Sequence, residues 1–290
     1  MSSEASRLRQ LRQEGGFFFL GPRTRLRLTG ADRVRYLNGQ VTNDLRRLIP
    51  GQAMRALVLT AKGRLCADIL VWSDEEALLI DADPSLADSL PGRLERYAVA
   101  DDVNFEILLP DATLCHAFGP AAAPLAGLRV QRLGLDGVDL PSVPSGLLEA
   151  SAHDVTLLAI ERGLPQWGWE LTGEILPQEA GLEPLSVDFH KGCYVGQEVV
   201  SRIESVGRVN RHLCGFLGDF DPDGLLSANL LTAAGEKAGW ITRAARHPEL
   251  DETVALGYLL ARCGETSFSV LDESGACLGR AERSEFPLVS

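Results

Sequence analysis

The chain changes texture once, near residue 206: upstream, strand-like alternation is interleaved with helical periodicity, and downstream only short apolar runs separated by turns remain. Residues 1–15 predict a polar helix, followed by strands at 16–20 and 23–28. In the second of these, Arg23, Arg25 and Arg27 alternate with Thr24, Leu26 and Leu28. Gly30 turns the chain, and Asp32 is placed to cap a helix bearing Val34 and Leu37. The runs 54–60 and 65–72, joined by Ala61-Lys62-Gly63, read as a hairpin, and 77–80 and 103–109 as further strands. Leu86, Leu90 and Leu94 give 85–97 a helical face that Pro91-Gly92 interrupts. A strand at 113–118, loops and short strands over 134–146, and a helix at 153–163 stopped by Gly163 and Pro165 follow. After residue 206, runs at 211–216, 237–242, 253–261, 267–271 and 276–280 suggest a small barrel.

These elements describe an α+β body with an all-β C-terminal module. A length of 290 residues and an apolar fraction of 45% suit about two domains with a large core. The longest apolar runs, such as 17–20, fall far short of the ~20 residues a membrane span needs. The start lacks a secretory apolar region, and Glu4 and Glu14 are unlike a transit peptide, so a cytoplasmic protein (in the mitochondrial matrix if eukaryotic) with no direct membrane contact is expected. Six cysteines, at 66, 115, 193, 214, 263 and 277, lack the spacing of a disulfide scaffold, and no C-x-x-C argues for a resident metal. A net charge of −12 makes nucleic acid an unlikely direct ligand. Against it stand eight arginines, at 7, 9, 12, 23, 25, 27, 33 and 35, with three acids in the same stretch. They form either a solvated helix and edge strand or an anion-facing wall.

The most informative stretch is Lys191-Gly192-Cys193-Tyr194-Val195-Gly196-Gln197-Glu198. Two glycines cost too much for a core helix, so its first half reads as a constrained loop, with a helix beginning near Gly196. Cys193 would then precede a helix N-terminus with Lys191 two residues away, and both surroundings favour a thiolate. Burial as an ordinary core cysteine is the alternative.

This octapeptide resembles the KGCYxGQE signature of the YgfZ-type folate-binding proteins, relatives of the aminomethyltransferase (T-protein) of the glycine cleavage system. Ile160-Glu161-Arg162-Gly163-Leu164-Pro165, Pro177-Gln178-Glu179-Ala180-Gly181-Leu182 and Val206-Gly207-Arg208-Val209-Asn210-Arg211 are similar to the family's flanking pattern, in the same order. So are Tyr36-Leu37-Asn38-Gly39-Gln40-Val41-Thr42-Asn43-Asp44 and Ala61-Lys62-Gly63-Arg64. The resemblance implies a three-domain clover leaf around a central funnel for tetrahydrofolate. The folate-binding region would span 1–205, with subdomain a at about 1–30 and 112–205 and subdomain b at about 31–111, and the barrel 206–290.

It further implies a tetrahydrofolate-binding protein that assists iron–sulfur cluster assembly or repair in client enzymes, including tRNA-modifying ones, with assembly or client proteins as partners. Cys193 and Lys191 would carry the chemistry; Glu161, Asp68, Tyr194 and Gln197 would bind the cofactor. Glu161 matches the T-protein glutamate that contacts folate, although Ala159 stands where that run has Arg. An ion pair with an arginine is its other reading. Asp68 matches the second of two T-protein aspartates, and Cys66-Ala67 precede it without the first. That departure disfavours the alternative, a folate-dependent aminomethyltransferase, and leaves enzyme status open. Asn43 and Asp44 read as loop caps, and Trp167 and Trp169 as either the wall of a flat ligand site or core.

Overall fold

A computed structural model describes residues 3–109, 113–222 and 228–289. Its mixed α/β body carries two antiparallel sheets, and the C-terminal third closes into a barrel. The chain opens with α1 (Ser3–Glu14), which buries Ala5, Leu8 and Leu11. β1 (Gly16–Phe19) then pairs with β7 (Cys115–Phe118), and β9 (Gly137–Leu140) and β8 (Leu128–Val130) complete a four-stranded sheet ordered β1-β7-β9-β8. The second sheet is ordered β3-β4-β5-β2-β6, from β3 (Met54–Leu59), β4 (Leu65–Ser73), β5 (Leu78–Ala82), β2 (Thr24–Thr29) and β6 (Asn104–Leu108). The chain therefore crosses between sheets at residues 20–23, earlier than the expected boundary at 30. The expected boundary at 111–112 lies outside the described residues.

The strand alternation reads correctly in β4, whose Leu65, Ala67, Ile69 and Val71 face the core while Cys66 and Asp68 are half-buried. β2 corrects the sequence reading. It is an inner strand between β5 and β6, not an edge, and its arginines survive there because each meets carboxylates: Arg25 meets Asp81, and Arg27 meets Glu76 and Glu106. The helix expected over 85–97 is reduced to a turn at Pro84–Leu86 and α3 (Leu90–Glu95). Asp32 occupies the N-cap position of α2 (Arg33–Gln40), but its Oδ2 accepts from the Asp102 amide, tying two loops instead of capping the helix.

α4 (Ala152–Glu161) starts on a capping box between Ser151 and Asp154 and ends before Gly163 at φ +68°. Two further helices, α5 (Glu183–Ser186) and α6 (Gln197–Val206), flank the octapeptide loop. The barrel runs β10-β13-β12-β11-β14-β15, using β10 (Arg211–Phe220), β11 (Asn229–Leu231), β12 (Lys237–His247), β13 (Glu252–Leu260), β14 (Ser267–Leu271) and β15 (Cys277–Ser284). Its sixth strand, β11, is three residues long, too short to show a period in sequence. No helix among the described residues is long and apolar enough to cross a membrane.

Candidate functional site

Three separated motifs meet at one junction. The turn after α2 is held by Thr42, whose amide donates to Leu57 O and whose hydroxyl accepts from the Leu57 amide and donates to Ser186 O. Asn43 Nδ2 donates to Arg55 O at 2.9 Å, and Asn38 Oδ1 accepts from the Leu45 amide at 2.8 Å. The octapeptide loop lies against this turn. Lys191 Nζ donates to the carbonyls of Asn38, Val41 and Asn43 at 2.6, 2.7 and 2.6 Å, and the Val195 amide donates to Gly39 O at 3.3 Å. The third motif is the β3–β4 turn. Gly196, at φ +89°, comes so close that a Cβ there would lie 2.6 Å from Thr60 O, so the second glycine of the signature is required by contact as well as by its left-handed backbone.

On this base Cys193 is exposed, at the loop before α6. Lys191 is buried, and burial pushes its ammonium down to about 8 while Asp44 opposes that fall. Its three N–H groups are all donated to backbone carbonyls, so none remains to hydrogen-bond the Cys193 sulfur. Tyr194 is buried under the loop with its ring 5.3 Å from Lys191 Nζ, and burial pushes its phenol up to about 12. Gln197 opens α6 half-buried, its amide bonded to Tyr194 O. None of these octapeptide residues lines the large cavity.

That cavity, of about 930 Å³, lies between the two sheets. Asp68 stands in its wall, gripped in a fork by Arg55 at 2.8 and 2.6 Å. Burial opposes the charge of Arg55, but Asp68 raises its pKa above the usual value. Asp81, also in the wall, draws Arg23, Arg25 and Arg132, and Arg132 continues to Asp139, which holds His116 Nδ1 at 2.9 Å. Against burial, His116 and Arg132 hold Asp139 down at about 2. Trp169, half-exposed, walls one side; Trp167 also lines the cavity but packs into the core. Arg129 donates to the carbonyls of Ala122, Ala123 and Leu125 and has no carboxylate partner among the described residues.

Glu161 is elsewhere, a second correction. It is buried at the end of α4, its oxygens taken by Arg12 Nε and Nη2 and His247 Nε2, each at 3.0 Å. The helix-end carboxylate is compensated by the Arg12 guanidinium and by a hydrogen bond from His247, whose Nδ1 accepts from the Glu249 and Leu250 amides. The N-terminal arginines behave alike: Arg7 meets Asp154, Arg9 meets Glu249, Arg35 meets Asp32 and Asp101, and Arg23, which lines the cavity, meets Asp81, so these arginines face protein carboxylates. Sequence reasoning missed Arg55, Arg129 and Arg132. Arg55 alone carried a signal, as a cation inside the apolar run 54–59.

A protein named tRNA-modifying protein YgfZ from Yersinia enterocolitica is 30% identical over 248 residues, covering 73% of this chain and 72% of the relative. The chain belongs to the YgfZ family. Another YgfZ family member, from Yersinia pestis (strain Pestoides F), shares 30% identity over 245 residues, with the same coverage of both chains. No family model matches the chain. Among solved structures, the glycine cleavage system aminomethyltransferase T from Bartonella henselae superposes with a TM-score of 0.80 over 98% of this chain and 89% of that one, at 18% identity. The YgfZ family signature thus sits here on an aminomethyltransferase fold with a closed six-stranded C-terminal barrel.

Proposed function

We propose that this protein binds a reduced folate in the inter-sheet cavity and uses the exposed Cys193 thiol to assist iron–sulfur cluster assembly or repair in client enzymes, including those that modify tRNA. The observation that carries the reading is the motif junction. Lys191, Gly196, Thr42 and Asn43 spend their side chains and backbone geometry on fixing a loop whose thiol is left in solvent. A cysteine kept only for packing would be buried. The tRNA-modifying name of the relatives supports the choice of client. The cluster enters as the client's group, not as a resident cofactor.

The cavity residues suit a folate. Trp169 offers a face for a flat ring, each Asp68 oxygen keeps a lone pair beyond the Arg55 fork for ring N–H donors, and Arg129 supplies a cation for tail carboxylates. When bound, the folate would supply one-carbon chemistry; the chain's own residues bind and orient it. Aminomethyl transfer lacks comparable support, since Ala67 stands where the T-protein run has the first of its two adjacent aspartates, and Asp68 is tied to Arg55. Titration with tetrahydrofolate, followed by calorimetry for wild type and Asp68→Ala, tests the cavity assignment. Binding is expected to fall at least tenfold in the variant, and equal binding refutes the placement.

A further inference from the structure

The chain contains 25 arginines and three lysines, at 62, 191 and 237. Lys62 and Lys237 are exposed, in a turn and at the start of β12. Lys191 alone is buried, and it meets three carbonyls, one in the last turn of α2 and two in the turn that follows it. An ammonium directs three N–H bonds from a single atom, whereas the planar guanidinium spreads its donors over a fork and cannot converge them on three oxygens around one point. A chain that otherwise uses arginine for its cations keeps lysine where the geometry demands a compact one.

We infer that Lys191 is a positioning residue: its ammonium serves as a built-in monovalent cation that gathers the carbonyls of the 38–43 segment and fixes the octapeptide loop, and so Cys193, upon it. Its contacts among the described residues give it no other task. Its three protons are committed to Asn38, Val41 and Asn43, its positive face lies toward the Tyr194 ring, and it does not line the cavity. The carbonyl set is that of a potassium or alkylammonium site in which the protein supplies its own ion. The consequence for Cys193 rests on the proposed thiol function; the geometry does not.

The test uses the full chain. In wild type, acetic anhydride should modify Lys62 and Lys237 at least tenfold faster than Lys191, resolved by peptide mass spectrometry; equal rates overturn the inference. In Lys191→Ala, hydrogen exchange at the Val195 amide should accelerate at least tenfold and be restored by methylammonium chloride but not by sodium chloride at equal ionic strength. Lys191→Arg should exchange as fast as Lys191→Ala. The rate of Cys193 alkylation in Lys191→Ala, read at its own peptide, should return to the wild-type value with methylammonium together with Val195 exchange. Unchanged Val195 exchange in Lys191→Ala overturns the inference. Should Lys191→Ala fail to fold, recovery on refolding with methylammonium supports it, and full recovery in Lys191→Met without added cation refutes it. Full function of Cys193→Ala in cells would strike the thiol reading alone, leaving the exchange result standing.

Discussion

Replacing Glu161 by Gln separates a structural role from a ligand-binding one. The carboxylate is almost wholly buried and accepts three charge-assisted hydrogen bonds, two from Arg12 and one from His247. Removing one partner of a buried ion pair typically costs about 3–5 kcal/mol. Arg12 keeps Glu249 at 3.1 Å, so the lower end applies, about 3 kcal/mol, or roughly 6–12 °C in Tm for a chain of this size. Burial alone would raise the Glu161 carboxyl; His247 and Arg12 outweigh it and lower the pKa. Its contribution to stability is therefore complete above the ordinary carboxylate value of ~4.3 and is lost as pH falls through the lower folded value. Urea unfolding at several pH values should show the stability gap between wild type and Glu161→Gln closing on acidification, while the carboxylates common to both chains contribute the same fall to each. The folate-induced rise in Tm should persist in the variant, because Glu161 does not line the cavity. Unchanged stability together with a vanished folate shift would show that the carboxylate serves the ligand after all.

Gly196→Ala should destabilise by about 1–3 kcal/mol in urea, since its Cβ meets Thr60 O at 2.6 Å and the backbone is left-handed, whereas Gly192→Ala, with open space around it, should be within about 0.5 kcal/mol of wild type. Cys193→Ala should melt like wild type, being exposed, yet fail to restore iron–sulfur enzyme activity in cells lacking the native protein; full restoration refutes the thiol function. Incubation with an aminomethylated carrier protein and tetrahydrofolate should give no methylene-tetrahydrofolate above background, and robust turnover would reinstate the enzyme reading.

Elements with a long, clean period were legible in the sequence: β4, α4 and five of the six barrel strands lie where alternation and stop signals put them. β2 was legible as a strand but not as an inner one. Its alternating arginines signal solvent only if nothing opposes them, and the opposing acids, Asp81, Glu76 and Glu106, lie on β5, β6 and the loop before β5. Pairing between residues far apart in sequence leaves no local trace. The same gap hid the partners of Glu161, which come from residues 12 and 247. Asp68 was found because a carboxylate inside an apolar strand is conspicuous, and its partner Arg55 lies two strand positions from the residue facing it.

The two halves of the proposed function meet through one segment of chain. Residues 38–43 form the bed of the Cys193 loop, and Arg47, Leu48 and Ile49, a few residues on, line the cavity together with Leu185 of α5. Thr42 joins these parts directly, bonding β3 through Leu57 and α5 through Ser186 O, while Asn43 reaches the carbonyl of Arg55, the residue that grips Asp68. A ligand that changes the position of Arg55 or Leu185 therefore acts on the same hydrogen bonds that hold the thiol loop. Coupling of this kind is reciprocal: a folate that binds more tightly to one arrangement of the 38–55 segment must shift the loop toward that arrangement, by no more than its difference in affinity. Cys193 alkylation measured with and without tetrahydrofolate reads that coupling. A rate change in wild type that disappears in Thr42→Val would place it in the junction, and identical rates at saturating folate would show the cavity and the thiol to be independent.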